Sequence, residues 1–162
     1  MTREFAISEL ALGGGRVALC PMPGAAGGYG ADLARILAWR PAMVVTLATE
    51  PEMVDAGAAG LPGDLAREGI AWCHLPVPDF AAESVALMLD WRTVSNMALE
   101  HLAAGAGVLF HCRGGCGRSG MAVMRLMVAS GEAPDAALLR LRGVRPCAVE
   151  TEPQRRWAAK GA

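Results

Sequence analysis

The sequence predicts an α/β fold in three layers, a largely parallel central sheet flanked by helices. Three observations carry this expectation. Short apolar runs alternate with helical patterns along the chain. The clearest run, Met43-Val44-Val45-Thr46-Leu47, is continuous and β-branched, the mark of a strand covered on both faces. A later run, Val108 to Phe110, passes through His-Cys and a glycine-rich loop directly into a helical pattern.

Taken in order, Arg16 to Cys20 reads as a strand that follows a turn at Gly13–Gly15. Pro21 to Gly30 forms a loop; its glycines could be imagined around a phosphate, but a tight connection is the simpler reading. Asp32 to Trp39 is helical, with Leu33, Ile36 and Leu37 at core spacing and Pro41 ending it. After the Met43–Leu47 strand comes an acidic segment with Glu50, Glu52 and Asp55. A small helix at Asp64–Glu68, stopped by Gly69, leads to a strand at Ile70–Leu75. Pro76-Val77-Pro78-Asp79-Phe80 then stiffens a loop that presents Asp79 where the carboxyl end of a sheet strand should lie. The longest helix runs from Ser84, a plausible N-cap, to Ala104, with Gly105 as its stop. Val85, Met88, Leu89, Val94, Met97 and Leu102 are expected to supply its apolar face. His101 near its end suits the helix dipole better than catalysis. This helix crosses over to Val108–Phe110, and helices follow at Arg118–Ser130 and Asp135–Arg142, with a short last one around Gln154.

A length of 162 residues suits one domain, taken as 1–162, and 53% apolar content excludes disorder. No apolar run is long enough to cross a bilayer. Met1 to Leu12 contains Glu4 and Glu9 and lacks a basic segment before an apolar block, so no secretory signal is expected. The net charge of −1 gives no overall attraction to nucleic acid or to anionic membrane. A monomer without stable membrane association is expected. The five cysteines are scattered without a C-x-x-C pair, which argues against a disulfide framework and for a reducing, cytoplasmic location.

The chemistry lies in Val108 to Gly120. A strand, a tight loop and a helix N-terminus make an anion cradle, with the N–H groups of Arg113, Gly114, Gly115, Cys116 and Gly117 facing the same point as the helix dipole. Cys112 opens that cradle, where a thiolate is favoured, and is the candidate nucleophile. Arg118 can hold an oxyanion in a two-pronged fork. A nucleophile beneath a dianion-binding loop implies phosphoryl transfer through a covalent thiophosphate. Two nucleotide patterns compete and fail. Gly115-x-Gly117-x-x-Gly120 matches a dinucleotide fingerprint, but the acidic residue it needs falls at Asp135, which starts a helix. A Walker A loop would need lysine where Arg118 stands. Zinc held by His111, Cys112 and Cys116 fits no usual spacing, so neither metal nor cofactor is expected.

His111-Cys112 followed by Arg118-Ser119 resembles the signature of cysteine-dependent protein phosphatases. Arg113-Gly114-Gly115-Cys116-Gly117-Arg118-Ser119 resembles the loop of the kinase-associated phosphatase branch of the dual-specificity group. The resemblance implies the protein tyrosine phosphatase-like fold, and hydrolysis of phosphotyrosine, phosphoserine or phosphothreonine on proteins or peptides. Pro76-Val77-Pro78-Asp79 is similar to the family's general-acid loop, with Asp79 as acid and then base. Ser119 would steady the departing Cys112 sulfur, and His111 would lie behind the loop. Gln154 falls where the family positions water, while a family glutamine before Thr151 is replaced by Glu150. The alternatives are a non-catalytic phosphate-binding module of the same fold and a phosphatase for phosphoinositides or inositol phosphates. Because Cys112, Asp79, Arg118 and Ser119 are all present, an enzyme is the better reading. Oxidation is expected to pair Cys112 with Cys116 or Cys73. Should Asp79 be only a turn residue, the acid would be sought at Glu50, Glu52 or Asp55.

Overall fold

The computed structural model describes residues 4–162, so the first three residues of the Met1–Leu12 stretch lie outside it. Its elements are β1 (Ser8–Leu12), β2 (Gly15–Cys20), α1 (Tyr29–Trp39), β3 (Pro41–Thr46), α2 (Glu50–Asp55), α3 (Leu61–Arg67), β4 (Ala71–His74), α4 (Val85–Ala103), β5 (Gly107–His111), α5 (Gly117–Ala129), α6 (Pro134–Val144) and α7 (Glu152–Ala159). The five strands form one sheet in the order β1-β2-β5-β3-β4. β2, β5, β3 and β4 are parallel, and only β1 runs antiparallel, at the edge. The expected three-layer, largely parallel sheet is therefore present.

Alternation along the strands divides the core in two. Val17, Leu19, Met43, Val45, Val108 and Phe110 face a cluster built with α4, α5, α6 and α7. Ala18, Cys20, Val44 and Leu109 face a smaller one with α1, α2 and α3. β5 lies at the centre, every residue of it buried. It is the strand that delivers the His-Cys pair.

Four expectations are corrected. First, β1 is an additional strand, joined to β2 through Gly13 and Gly14 at φ 62° and 94°. Positive φ at both turn positions is what a two-residue hairpin of the twist-compatible type requires. Second, the acidic segment is itself helical: Thr49 and Glu52 close a capping box around α2. Third, α4 buries a partly different stripe, in which Val94 and Leu102 are buried as expected and the other four residues of the expected face are not. Leu87, Trp91, Val94, Ala98 and Leu102 face inward, whereas Val85, Met88 and Leu89 are 72–82% exposed. Trp91 fixes that rotation by packing edge-on to Trp157 of α7 at 4.9 Å. Fourth, Cys116 and Cys147 form a disulfide, so the argument for a reducing compartment from unpaired cysteines loses its basis. Among the described residues no helix is long and apolar enough to cross a membrane.

Candidate active site

Parallel strands end on one edge of the sheet, so whatever follows β3, β4 and β5 meets there. After β5 comes the Cys112 loop. α2, carrying Glu52, follows β3, and the Asp79 loop follows β4. Backbone bonds tie the last two to the first: Leu47 N–H donates to the His111 carbonyl, and Val77 N–H to the Leu47 carbonyl, at 2.9 and 3.0 Å.

The loop's shape follows from where its carbonyls go. The Arg113 carbonyl accepts from Met22 N–H at 2.9 Å, and the Cys116 carbonyl from Val149 N–H at 3.1 Å. Between them, Arg145 Nη2 donates to the Gly114 carbonyl at 3.1 Å and Arg145 Nε to the Gly115 carbonyl at 2.9 Å. In a planar trans peptide the C=O of one residue and the N–H of the next point in opposite directions. Four carbonyls held outward therefore turn the N–H groups of residues 114 to 117 inward. Gly115 is required for this path: φ is 70°, and a Cβ there would lie 2.5 Å from the Cys20 carbonyl carbon. The first turn of α5 adds N–H groups with no intrahelical partner. Together they form an anion-binding nest.

Arg118 lies under the nest, 1% exposed. Glu52 holds it in a bidentate pair, Nη1 to Oε2 at 2.7 Å and Nη2 to Oε1 at 2.8 Å, and Nη1 also donates to the Val77 carbonyl. Burial alone would raise the Glu52 carboxyl. Hydrogen bonds from Arg118 and from Thr49 N–H, with the Arg118 charge, outweigh it and bring the pKa down to about 2. Glu52 is thus ionised at any working pH and cannot serve as the substitute general acid. Arg118 Nε is left buried without a hydrogen-bond partner. A desolvated cationic N–H is costly unless something anionic completes it. Glu52 was legible only as one acid in a charged run; the capping box it closes with Thr49, which sequence reading passed over, is a signal for a helix and gives no hint of Arg118.

Cys112 is buried, with its Sγ 3.3 Å from Ser119 Oγ. His111 is fully buried behind it. Its Nδ1 lies 3.1 Å from the Cys112 carbonyl and its Nε2 2.6 Å from Thr46 Oγ1, which already accepts from Trp72 Nε1–H. A carbonyl can only accept, so Nδ1 carries the proton. Burial, ahead of the neighbouring charges, lowers the ring's pKa to about 4 and keeps it neutral. Nε2 is then bare and accepts a hydrogen bond from the Thr46 hydroxyl. Thr46 and Trp72 thereby set the tautomer of His111, a role no local signal announced.

Asp79 stands at the mouth, its Oδ1 accepting Phe80 N–H at 2.9 Å and pairing with Arg118 Nη2 at 3.2 Å. Phe80 closes the loop tip in the left-handed region at φ 63°. Gln154 is fully buried. Its Oε1 accepts from Glu150 and Thr151 N–H, and its Nε2 donates to the Ala81 carbonyl, so it ties α7 to the end of the Asp79 loop with one N–H left over. Arg113 is exposed and paired with Asp55 at 3.1 Å. The cavity before Cys112, about 310 Å³, is lined by Pro21, Ala25 and Ala26 as well as by Asp79, Phe80 and Glu150. The loop after β2 is more than a connection, since Pro21, Ala25 and Ala26 line that cavity.

Cys116 and Cys73 are both corrected as oxidation partners of Cys112. The sulfur of Cys116 is bonded to Cys147. Cys73 lies on β4, separated from β5 by β3, roughly 10 Å away at the usual strand spacing and beyond disulfide reach. The same Cys116–Cys147 bond, with both His111 nitrogens hydrogen-bonded, removes the zinc alternative.

Comparisons with known proteins agree with this geometry. A family model described as "Tc-R-P: Polymorphic toxin system, DSP-PTPase phosphatase" matches residues 41–132. A search of curated proteins finds no match. Among solved structures, the kinase-associated phosphatase with serine at its catalytic-site cysteine superposes with a TM-score of 0.83 at 20% identity, covering 99% of this chain and 95% of that one. Tk-PTP in its active form gives 0.70 at 30% identity, covering 94% and 95%. PTPMT1 in complex with PI(5)P gives 0.68 at 17% identity, covering 89% and 88%. With more than half of its length matched by that family model and a 30% identical relative matched almost end to end, the chain belongs to the dual-specificity branch of the cysteine-dependent phosphatases.

Proposed function

We propose that this protein hydrolyses phosphate monoesters through a cysteinyl-phosphate intermediate, with phosphorylated proteins or peptides as substrates. The observation that carries the reading is the unpartnered Arg118 Nε, buried beside Cys112 under inward-turned loop N–H groups. A phosphate dianion completes it.

The dianion docks on the N–H groups of residues 113 to 118, and its oxygens take Arg118 Nε and Nη2. Binding at Nη2 competes with Asp79 for the guanidinium and frees that carboxyl. Cys112 thiolate then attacks phosphorus in line. As the S–P bond forms and the P–O bond breaks, protonated Asp79 delivers its proton to the leaving oxygen. In the second step water attacks phosphorus and gives Asp79 a proton, while the S–P bond breaks. The Ser119 hydroxyl, 3.3 Å from the sulfur, donates to the returning thiolate. Gln154 has one amide N–H with which to orient that water. Glu52 and His111 act through Arg118 and the Cys112 carbonyl respectively.

The small side chains of Ala25 and Ala26 and the glycine at 114 in the cavity lining favour a pocket that admits short phosphoserine and phosphothreonine as well as phosphotyrosine. The fold likeness to PTPMT1, solved with PI(5)P, raises the phosphoinositide reading. The charge around the mouth weighs against it: Arg113 is neutralised by Asp55, and Asp79 and Glu150 face the cavity, where further phosphates would need cations. The test is turnover of the wild-type chain and of Cys112→Ser on phosphopeptides and on phosphoinositides side by side. The proposal expects phosphopeptide turnover that Cys112→Ser abolishes while inorganic phosphate still binds. Retained turnover in that variant overturns the mechanism, and exclusive phosphoinositide turnover overturns the substrate class.

A further inference from the structure

Of the four loop carbonyls held outward, two are held by one side chain. Arg145 is buried, only 8% exposed, and it reaches back from the end of α6 to Gly114 and Gly115. Those two residues precede the peptides whose N–H groups, at 115 and 116, line the nest. The segment that follows Arg145 grips the same loop twice more. Cys147 is bonded to Cys116, and Val149 N–H donates to the Cys116 carbonyl. On the opposite side, Gly115 already abuts the Cys20–Pro21 backbone, so it cannot retreat that way.

Glycines at 114 and 115 make the loop backbone the least constrained part of the site. A rotated peptide there would aim a carbonyl oxygen at the phosphate and withdraw an N–H from it. Nothing in the glycines themselves opposes that rotation. The opposition comes from Arg145, whose rigid fork satisfies both carbonyls only in the outward arrangement.

We infer that residues 145 to 149 form a clamp that fixes the phosphate loop in its anion-receiving conformation, with Arg145 as its positioning residue and the Cys116–Cys147 disulfide as its covalent tie. The inference deepens the phosphatase reading and rests on it. It also gives redox sensitivity of unusual sign. A dithiol reductant exchanges with the disulfide, two thiols appear at Cys116 and Cys147, and the dithiol leaves as its own cyclic disulfide. The loop slackens, while Cys112 stays reduced throughout.

The experiment compares wild type with Arg145→Ala, Arg145→Lys and Cys147→Ser, measuring aryl phosphate turnover, inhibition by inorganic phosphate and tungstate binding by calorimetry. All are run well below each variant's melting temperature. Arg145→Ala should weaken both anions and reduce kcat/KM by about 10²-fold, the effect of displacing a positioned group by an ångström. Arg145→Lys should recover only part, because a point donor cannot hold two carbonyls in a fixed fork. Dithiol treatment of wild type should weaken tungstate binding roughly tenfold, and Cys147→Ser should show that weaker binding with or without dithiol. Arg145→Ala that melts lower yet binds phosphate and tungstate as wild type does would reduce Arg145 to a packing residue and overturn the inference. Tungstate affinity indifferent both to dithiol and to Cys147→Ser would overturn the covalent tie. Absent turnover in wild type would count against the phosphatase reading alone, since tungstate binding across the same variants still decides the clamp.

Discussion

Glu52→Gln removes the counter-charge of Arg118 while keeping the shape of the side chain. In the wild type both carboxylate oxygens accept from the guanidinium, at 2.7 and 2.8 Å, with Arg118 1% and Glu52 15% exposed. Leaving one partner of a buried pair uncompensated costs about 3–5 kcal/mol. Glutamine keeps one hydrogen bond and the site borders a cavity, so the lower end, about 3 kcal/mol, applies. For a chain of this size that lowers the melting temperature by roughly 6–12 °C. Inorganic phosphate supplies the missing negative charge, so saturating phosphate should raise the melting temperature of the variant more than that of wild type. Catalysis should fall because the guanidinium is no longer aimed, by about 10²–10³-fold in kcat/KM, the loss seen when one oxyanion donor is removed. The pH dependence has a definite sign. The Glu52 carboxyl in the folded protein, at about 2, lies below its ordinary value. Its stabilisation is therefore full above about pH 4.5 and lost as pH falls through about 2, where the two proteins should converge. Scanning calorimetry from neutral to acid pH, with and without phosphate, measures the stability, and steady-state turnover of an aryl phosphate measures the loss in kcat/KM. A variant that melts within about 2 °C of wild type, gains nothing extra from phosphate and keeps its kcat/KM would refute the view that Glu52 aims Arg118.

Asp79→Asn should lose about 10²–10⁴-fold on phosphopeptides, whose leaving oxygens need a proton, and far less on an activated aryl phosphate; equal losses on both would make Asp79 a turn residue. Its pH–rate profile should also lack the basic limb of wild type. Gly115→Ala places a Cβ 2.5–2.7 Å from the Cys20–Pro21 backbone at a left-handed φ, so tungstate binding should fall by about 10²-fold with circular dichroism unchanged; near-normal binding would show that the loop path tolerates a side chain. His111 titrates at about 4 in the fold, below its ordinary 6.5, so the unfolded chain binds its proton first as pH drops. Stability should therefore decline from about pH 6.5 to about 4, and His111→Asn should flatten that part of the calorimetric curve.

The parts of this protein that can be read from its residues alone are local. Cys112, the loop glycines, Arg118 and Ser119 lie within eight consecutive residues, so a strand, a loop and a helix N-terminus that bring them to one point are legible locally, although the loop's final path is held by Met22, Arg145 and Val149. The parallel sheet was equally legible, because continuous β-branched runs separated by helical patterns leave few other arrangements. Asp79 could be placed at the site because its loop had to leave the same edge of that sheet. The partners that only folding brings to the site lie far away in sequence. Glu52 reaches Arg118 across 66 residues, Thr46 meets His111 across 65, and Arg145 holds Gly114 across 31. Each is one polar residue in a stretch with an adequate local reason to exist: a capping box, a strand end, a helix terminus. The stripe that α4 buries was likewise fixed by Trp157, because apolar residues on that helix allowed more than one face. Cys116 and Cys147 gave no pattern of pairing, since a disulfide depends on two backbone positions coming to 5.2 Å. That distance exists only once α5 and α6 have packed, and spacing along the chain cannot encode it.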